Sequence, residues 1–492
     1  MKGYSKKIIV SLLLILSLTA ASCCFIYSNI TSLRIPFDND EAEKAVAGLR
    51  LYQSIKHGSL GDFISATIDS GGRLYPFIHS WLLSFLYLIN GPDLFTSRLQ
   101  SLLMFGLSVP LLFAIGLSMD VDRGWFIGLM SCLLMLTSKG ILLSSALCMI
   151  ESTGIFMSLC AFALYFNALR TRALFWYLST GFFTVLTFLT KYNYGIFIIA
   201  ALMISHFSHL TLKKDHDNNS LWRRQLACLL IPMVLCVLWV FVYWDGFYRF
   251  LTTQPVRTTM FSAKNIFYYP KALYTEYSPS PVVFFILIFS LLVSLKVLHN
   301  QQTFFLTSYV LVVFISMVLK LQNESRFIIT AVPALYLLAG LQTSRLIFHR
   351  NEGLRNTSIL LVFLAFFSML HGAYMIYGGY NGLLRVNYEG RESYYEMHEF
   401  ISSLITEKKH VSLLCAWDQM PENAFKWFWA VNKGWDVQSI SVGNVCENDP
   451  IEPYYVVIFE GYYDSKNIPE GFKIMSRQDF EDISVTVMGA NN

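Results

Sequence analysis

Apolar runs close to twenty residues long return along the first three-quarters of the chain, separated by short polar breaks. A run of that length matches the hydrocarbon thickness of a bilayer and reads as a membrane-spanning helix. About eleven such spans are predicted, near 8–30, 98–119, 124–143, 152–169, 173–190, 192–209, 226–244, 281–299, 303–320, 327–347 and 357–377. The stretch 76–90 is of another kind: it is short, opens on Pro76 and contains His79. From about residue 380 the chain turns polar and charged. Its apolar runs shrink to His410–Trp417, Asp436–Val442 and Tyr454–Phe459, which read as strands, preceded by a helical pattern over Tyr394–Ile405. The expected fold is therefore a polytopic α-helical membrane protein, residues 1–379, followed by a small α/β domain, residues 380–492.

Loop charges orient the spans, because cytoplasmic loops favour Lys and Arg. If 76–90 lies at the surface or is half inserted, Lys6, Lys7, Arg123, Arg170, Arg172, Lys213, Lys214 and Arg345 share the cytoplasmic side. If it spans, most of them move outside, so the surface helix is preferred to a twelfth span. A large first loop, residues 31–97, then lies outside, together with Glu151, Lys191, the 245–280 loop, Arg326 and the C-terminal domain. Lys2 and Lys6-Lys7 ahead of an apolar run also resemble a signal peptide. The run continues past Thr19-Ala-Ala-Ser-Cys23, so an uncleaved first helix is the simpler reading.

Composition agrees with this picture. Of 492 residues, 54% are hydrophobic and only 14% charged, where a soluble chain carries about a quarter charged residues. The net charge of +4 is accounted for by short basic loops, and no basic stripe points to nucleic acid. Nine cysteines show neither C-x-x-C nor His/Cys ligand spacing, so no metal site is expected. Cys415 and Cys446 fall in the outer domain, where a disulfide is permitted; Cys415 as a buried strand residue is the other reading.

The candidate chemistry gathers on that outer side. Asp40 and Glu41 lie in Asn39-Asp-Glu-Ala-Glu43, just beyond the first span. A carboxylate there can take a proton from an acceptor hydroxyl, or the cluster can simply cap and solvate a helix starting near Ala42. Asp38, at the edge of the cluster, is the best candidate for the capping role. Glu151 heads an apolar helix, where a carboxylate faces a polar cavity or caps the helix end. Lys191 and Arg326 border spans and suit a lipid phosphate at headgroup depth, or snorkel to the interface. Arg73 and Tyr75, in Gly71-Gly-Arg-Leu-Tyr-Pro76, are further candidate substrate contacts, as are Arg257, Lys264 and Lys271, with a solvated loop charge the favoured reading for each of these four cations. The aromatic run Phe425–Trp429 fits either a sugar-stacking surface or a domain core.

In this order the features resemble the GT-C superfamily of polyprenyl-phosphate-dependent glycosyltransferases, in the branch of protein O-mannosyltransferases and aminoarabinose transferases. The resemblance rests on Asp40-Glu41 after the first span, Leu74-Tyr-Pro76 before a surface helix and Arg98-Leu99 opening the next span. It also rests on Glu151, on Leu189-Thr-Lys191 and on Arg326-Phe327 ahead of Val332-Pro-Ala-Leu335, and it covers about residues 1–350. It implies Asp40 as general base, Glu151 as an orienting group where Asp is common, and Arg73, Lys191 and Arg326 as holders of the carrier phosphate. Tyr75-Pro76-Phe77 departs from relatives with two prolines, and the extra carboxylates let Asp38 compete with Asp40.

The expected activity is glycosyl transfer from a polyprenyl-phosphate sugar to a hydroxyl of a surface glycan, lipid or protein outside the cytoplasm. No cofactor is expected, and a bacterial inner membrane is the expected location. An O-antigen-type polymerase and a transporter or flippase are the alternatives. Transporters bury charges mid-membrane, whereas the charges here gather at one face.

Overall fold

The computed structural model describes residues 2–32, 37–71, 75–212, 219–244, 247–248, 252, 263–296, 300–319, 323–377, 393–405, 411–414, 422–436, 442–444, 455–460, 472–480 and 483–490. Arg73, Arg257, Cys415, Cys446 and the expected boundary near residue 380 lie outside the described residues.

Helix α1, Lys2–Ser32, leads into the first loop, which is itself helical: α2 is Asn39–His57, α3 Leu60–Gly71 and α4 Ile78–Asn90. The α2 start follows from its sequence. Asp38 is extended and accepts a hydrogen bond from the Glu41 amide at 2.8 Å, an N-cap with Asp40 and Glu41 in the first turn. Thirteen residues of α4 rise about 20 Å, short of the roughly 30 Å of a hydrocarbon core. One face of α4 buries Ile78, His79, Leu83 and Tyr87 while Phe85, Leu88 and Ile89 are exposed. This is the helix the sequence places at the surface.

The membrane bundle follows: α5 Leu94–Met119, α6 Gly124–Leu136, α7 Lys139–Ala146, α8 Ile150–Thr171, α9 Leu174–Phe188 and α10 Tyr192–Leu212. Then come α11 Asn219–Leu230, α12 Val234–Val242, α13 Ala263–Thr275, α14 Pro281–Ser294, α15 Gln301–Leu319, a 3-10 turn Ser325–Ile328, α16 Ala331–Ile347 and α17 Glu352–Tyr377. Over most of their described residues, each of the eleven expected spans falls on helix. Among the described residues, six helices are long and apolar enough to cross a membrane, or seven if α6 and α7, bent by 65°, form one span. That count takes α11 and α12 together as Leu221–Val242, and the remaining expected spans fall on shorter helices: α9, α14, α16 and the apolar part of α10, Tyr192–Ser208. Helix α16 is sequestered, with every side chain from Ala331 to Ser344 buried. It packs on α6, α14 and α15. The bundle core is continuous from Leu102 and Phe105 through Phe162 and Tyr309 to Leu337.

The C-terminal segment is mixed, as expected. Helices α18, Ser393–Leu404, and α19, Glu422–Lys433, accompany a five-stranded sheet of order β2-β1-β3-β5-β4. The strands are β1 Val411–Leu414, β2 Val442–Asn444, β3 Tyr455–Glu460, β4 Phe472–Phe480 and β5 Ile483–Ala490. Strand β1 is parallel to β2 and β3, while β5 is antiparallel to β3 and β4. Phe425, Trp427, Phe428 and Trp429 are buried, so the aromatic run is core. That core is shared with the first loop: Phe37 meets Trp427 edge-on at 4.8 Å, and Ala42, Ala45 and Leu49 of α2 belong to the same cluster.

Candidate active site

Helix α2 turns successive carboxylates in different directions, because neighbours on a helix are about 100° apart. Glu41 points inward and is fully buried. Its two oxygens accept from Arg98 Nε and Nη2 at 3.0 and 2.9 Å, and Oε1 also accepts from the Cys148 amide at 2.7 Å. A buried carboxylate is tolerated only when paired and hydrogen-bonded in this way. Glu41 does not line the cavity that holds Asp40. The structure thus places it in a lock between α2, α5 and the start of α8, not among the groups that could meet a substrate.

Asp40 lines a small cavity with Lys44, Tyr75, Glu151, Lys191 and Arg326. Its side chain is 36% exposed, against 1% for Glu151, so it is the carboxylate of that cavity open to an incoming ligand. Lys44, one turn along α2, brings a second charge to the same cavity; its ammonium lies 2.9 Å from Glu43 and 4.2 Å above the Tyr75 ring. Lys191 donates to Glu151 at 3.2 Å and also sits 5.2 Å from the Tyr75 ring. Tyr75 therefore stands between two ammonium groups, a cation–π arrangement that holds both near the cavity. Arg326, on the 3-10 turn, contacts Asp40 through Nη1 and Glu324 through Nε at 2.7 Å.

These charges set protonation. Burial raises the Asp40 carboxyl, and Arg326, Lys44 and Lys191 more than reverse this, leaving it below the usual carboxylate range. For Asp38, burial and then the nearby Glu41 push the carboxyl up to about 6. Arg326 is held still more firmly in its charged form: burial opposes the charge, but Glu151, Asp40 and Glu324 outweigh it.

Asp40, Glu151, Tyr75, Lys191 and Arg326 are thus brought together from five separate segments. Lys264 and Lys271, on α13, are exposed and line no part of this cavity. Lys44 and Glu324 escaped the sequence reading. The signal for Lys44 was its i+4 spacing from Asp40; for Glu324 it was only proximity to Arg326. Beneath the site, Gln100 Nε2 lies 3.1 Å from His79 Nδ1, which is 3.0 Å from Thr153 Oγ1. The approach of α8 to α10 is close: a Cβ on Gly154 would meet the Tyr194 ring at 2.4 Å.

Beyond Arg326 the cavity gives way to a wider cleft of about 300 Å³, lined by Ser144, Tyr268, Glu276, Asn323 and Glu324. The charged cavity is a tight chamber, about 10 Å³ and so room for little more than a water, and the wider cleft beside it mixes these polar groups with Leu143, Leu147 and Met149.

The family model of dolichyl-phosphate-mannose-protein mannosyltransferase matches residues 53–248. The solved structure of ArnT from Cupriavidus metallidurans bound to undecaprenyl phosphate superposes with a TM-score of 0.64 at 14% identity, over 96% of this chain and 97% of that one. The chain has the GT-C fold. The apo form of the same ArnT gives a TM-score of 0.66 with the same coverage and identity. The Archaeoglobus fulgidus oligosaccharyltransferase gives 0.60 at 12% identity, over 92% of this chain and 69% of that one. No curated protein sequence is a significant match.

Proposed function

We propose that the protein is an integral membrane glycosyltransferase that moves a sugar from a polyprenyl phosphate to a hydroxyl of an extracytoplasmic acceptor, with inversion. The observation that carries this reading is the cavity itself: a partly open carboxylate, Asp40, faces Lys44, Lys191 and Arg326. A base and a set of phosphate receptors side by side suit one reaction class, displacement of a phosphate by a hydroxyl. The GT-C fold and the undecaprenyl phosphate bound to the similar Cupriavidus protein support the same donor class.

In this reading the carrier phosphate docks on Arg326, whose planar fork suits two phosphate oxygens. Asp40, released from Arg326, accepts the proton of the acceptor hydroxyl. That oxygen attacks the anomeric carbon as the bond from this carbon to the phosphate oxygen breaks. The phosphate leaves with the bonding electrons, and Arg326 and Lys191 balance its added charge. Glu151 keeps Lys191 aimed into the chamber. Glu41 holds the helix that carries the base and takes no part in the chemistry. The chamber, the first loop and the C-terminal domain belong on the outer face, in a bacterial inner membrane.

The test is transfer and donor hydrolysis with purified protein and radiolabelled polyprenyl-phosphate sugars. Release of polyprenyl phosphate that depends on Asp40 supports the proposal. Binding without any sugar release, together with carrier movement across vesicles, would favour a flippase instead.

A further inference from the structure

Glu151 and Lys191 form their buried pair from two distant segments, the first turn of α8 and the link between α9 and α10. The first turn of α4 holds both segments. The Ile78 amide donates to the Leu189 carbonyl at 3.1 Å, two residues before Lys191. His79 Nδ1 lies 3.0 Å from the hydroxyl of Thr153, two residues beyond Glu151 and in the same helical turn. Gln100 of α5 joins this clasp. Its Nε2 donates to the His79 carbonyl at 3.1 Å and to Thr153 Oγ1 at 3.3 Å, and it lies 3.1 Å from His79 Nδ1. His79, Gln100, Thr153, Glu151 and Lys191 are all buried. Two adjacent residues of α4 therefore bracket both halves of one ion pair. A carboxylate and an ammonium buried this deeply are tolerated only in good geometry.

We propose that His79 is a positioning residue for the reaction: through Thr153 it fixes the first turn of α8, and so the carboxylate that holds Lys191 in the cavity. It acts through Glu151, for it lines no part of the cavity itself. Its effect on transfer rests on the glycosyltransferase reading above; its protonation state does not. The hydrogen bonds decide that state. A carbonyl can only accept, so the His79 carbonyl turns the NH2 end of the Gln100 amide toward the ring. Nδ1 therefore faces a donor and must itself accept, which leaves the ring proton on Nε2. Burial and then the charge of Lys44 favour the neutral ring, pushing its pKa down to about 3. Nε2 has no partner among the described residues, so the ring acts from its Nδ1 side. A residue placed in this way matters to rate because a misplacement of about 1 Å at a reacting centre can cost on the order of a hundredfold.

The experiment uses the full-length protein in detergent and a double-mutant cycle on kcat/KM for a polyprenyl-phosphate sugar. His79→Phe keeps the ring and removes the Nδ1 acceptor; His79→Asn keeps an acceptor on that side. His79→Phe is expected to lose about tenfold or more in kcat/KM, and His79→Asn to recover most of the loss. In a Glu151→Gln background the same His79→Phe change is expected to cost less than about twofold, because the group it acts through is already altered. A merely structural residue would give the same loss in both backgrounds, and that result, or normal transfer by His79→Phe, overturns the proposal. Imidazole nitrogen NMR of histidine-labelled wild type, with the His79 signal assigned by its loss in His79→Asn, needs neither turnover nor a folded Phe variant. A neutral ring protonated on Nε2 at neutral pH is expected; a charged ring, or the proton on Nδ1, overturns the clasp. Absence of any transfer by wild type, with the ring as expected, would instead count against the glycosyltransferase reading.

Discussion

The Asp40 carboxylate is in direct contact with the Arg326 guanidinium, although the two residues are 286 positions apart in the chain. The proposed base and the proposed phosphate receptor are thus each other's counter-ion. In the proposed mechanism a donor phosphate that takes Arg326 Nη1 displaces Asp40, so the event that seats the donor also frees the base. The pair keeps Arg326 compensated in a half-buried position, where a lone cation would be costly.

Asp40→Asn keeps the shape of the side chain and removes the proton acceptor. Transfer is expected to fall about a hundred- to ten-thousand-fold, the range of general-base catalysis. Affinity for undecaprenyl phosphate is expected to hold or rise, since Asn no longer competes for Arg326. Parallel transfer and binding assays check both; near-normal turnover would remove Asp40 from the mechanism.

The pH profile should report the exchange of partners. A base is lost as pH falls through its pKa, and Asp40 lies below the usual carboxylate range while Arg326 faces it. The acid limb of kcat/KM, which reports the free enzyme, is expected below that of an ordinary carboxylate. In the donor complex Arg326 is shared with a phosphate, so the acid limb of kcat is expected at higher pH. Coincident limbs would mean that Asp40 keeps its partner throughout.

Arg326→Ala is expected to weaken use of a polyprenyl-phosphate donor, with Arg326→Lys recovering part of the loss because a point charge lacks the bidentate fork. Donor concentration series give KM and kcat separately. Unchanged donor kinetics for the Ala variant would make Arg326 an interfacial residue only.

Glu41→Gln addresses the other ion pair. Removing one charge of a buried pair destabilises by about 3–5 kcal/mol. The variant is expected to unfold at lower temperature in detergent, while the fraction still folded turns over close to normally. Replacing both partners, Glu41→Leu with Arg98→Met, is expected to recover part of the stability. Loss of turnover without loss of stability would return Glu41 to the chemistry.

The helical nature of the eleven apolar segments was legible because hydrophobic run length is a local property. Where the segments break was not: the run 124–143 bends by 65° at Thr137-Ser138, and α14 ends at Ser294, with no local signal for either in the run of apolar residues. The N-cap role of Asp38 was readable from its position at the edge of the cluster. The division of labour between Asp40 and Glu41 was not, because it depends on Arg98 and Arg326, each far along the chain. The aromatic run Phe425–Trp429 stayed ambiguous until its burial against Phe37 and α2 was visible, since one pattern serves a sugar platform and a core equally well.

Asp40 and Glu41 owe their opposite surroundings to a single step along one helix. The first turn of α2 is consequently intolerant of changes in length. One residue inserted between Asp38 and Lys44 would rotate the remainder of the helix by about 100°, aiming a lock residue at the chamber or the base at Arg98. Insertions ahead of Phe37 carry no such penalty, since the Asp38 cap restarts the helix at the same point. Homologous chains should therefore vary in the length of the connection after α1 and keep the count from cap to Lys44 fixed.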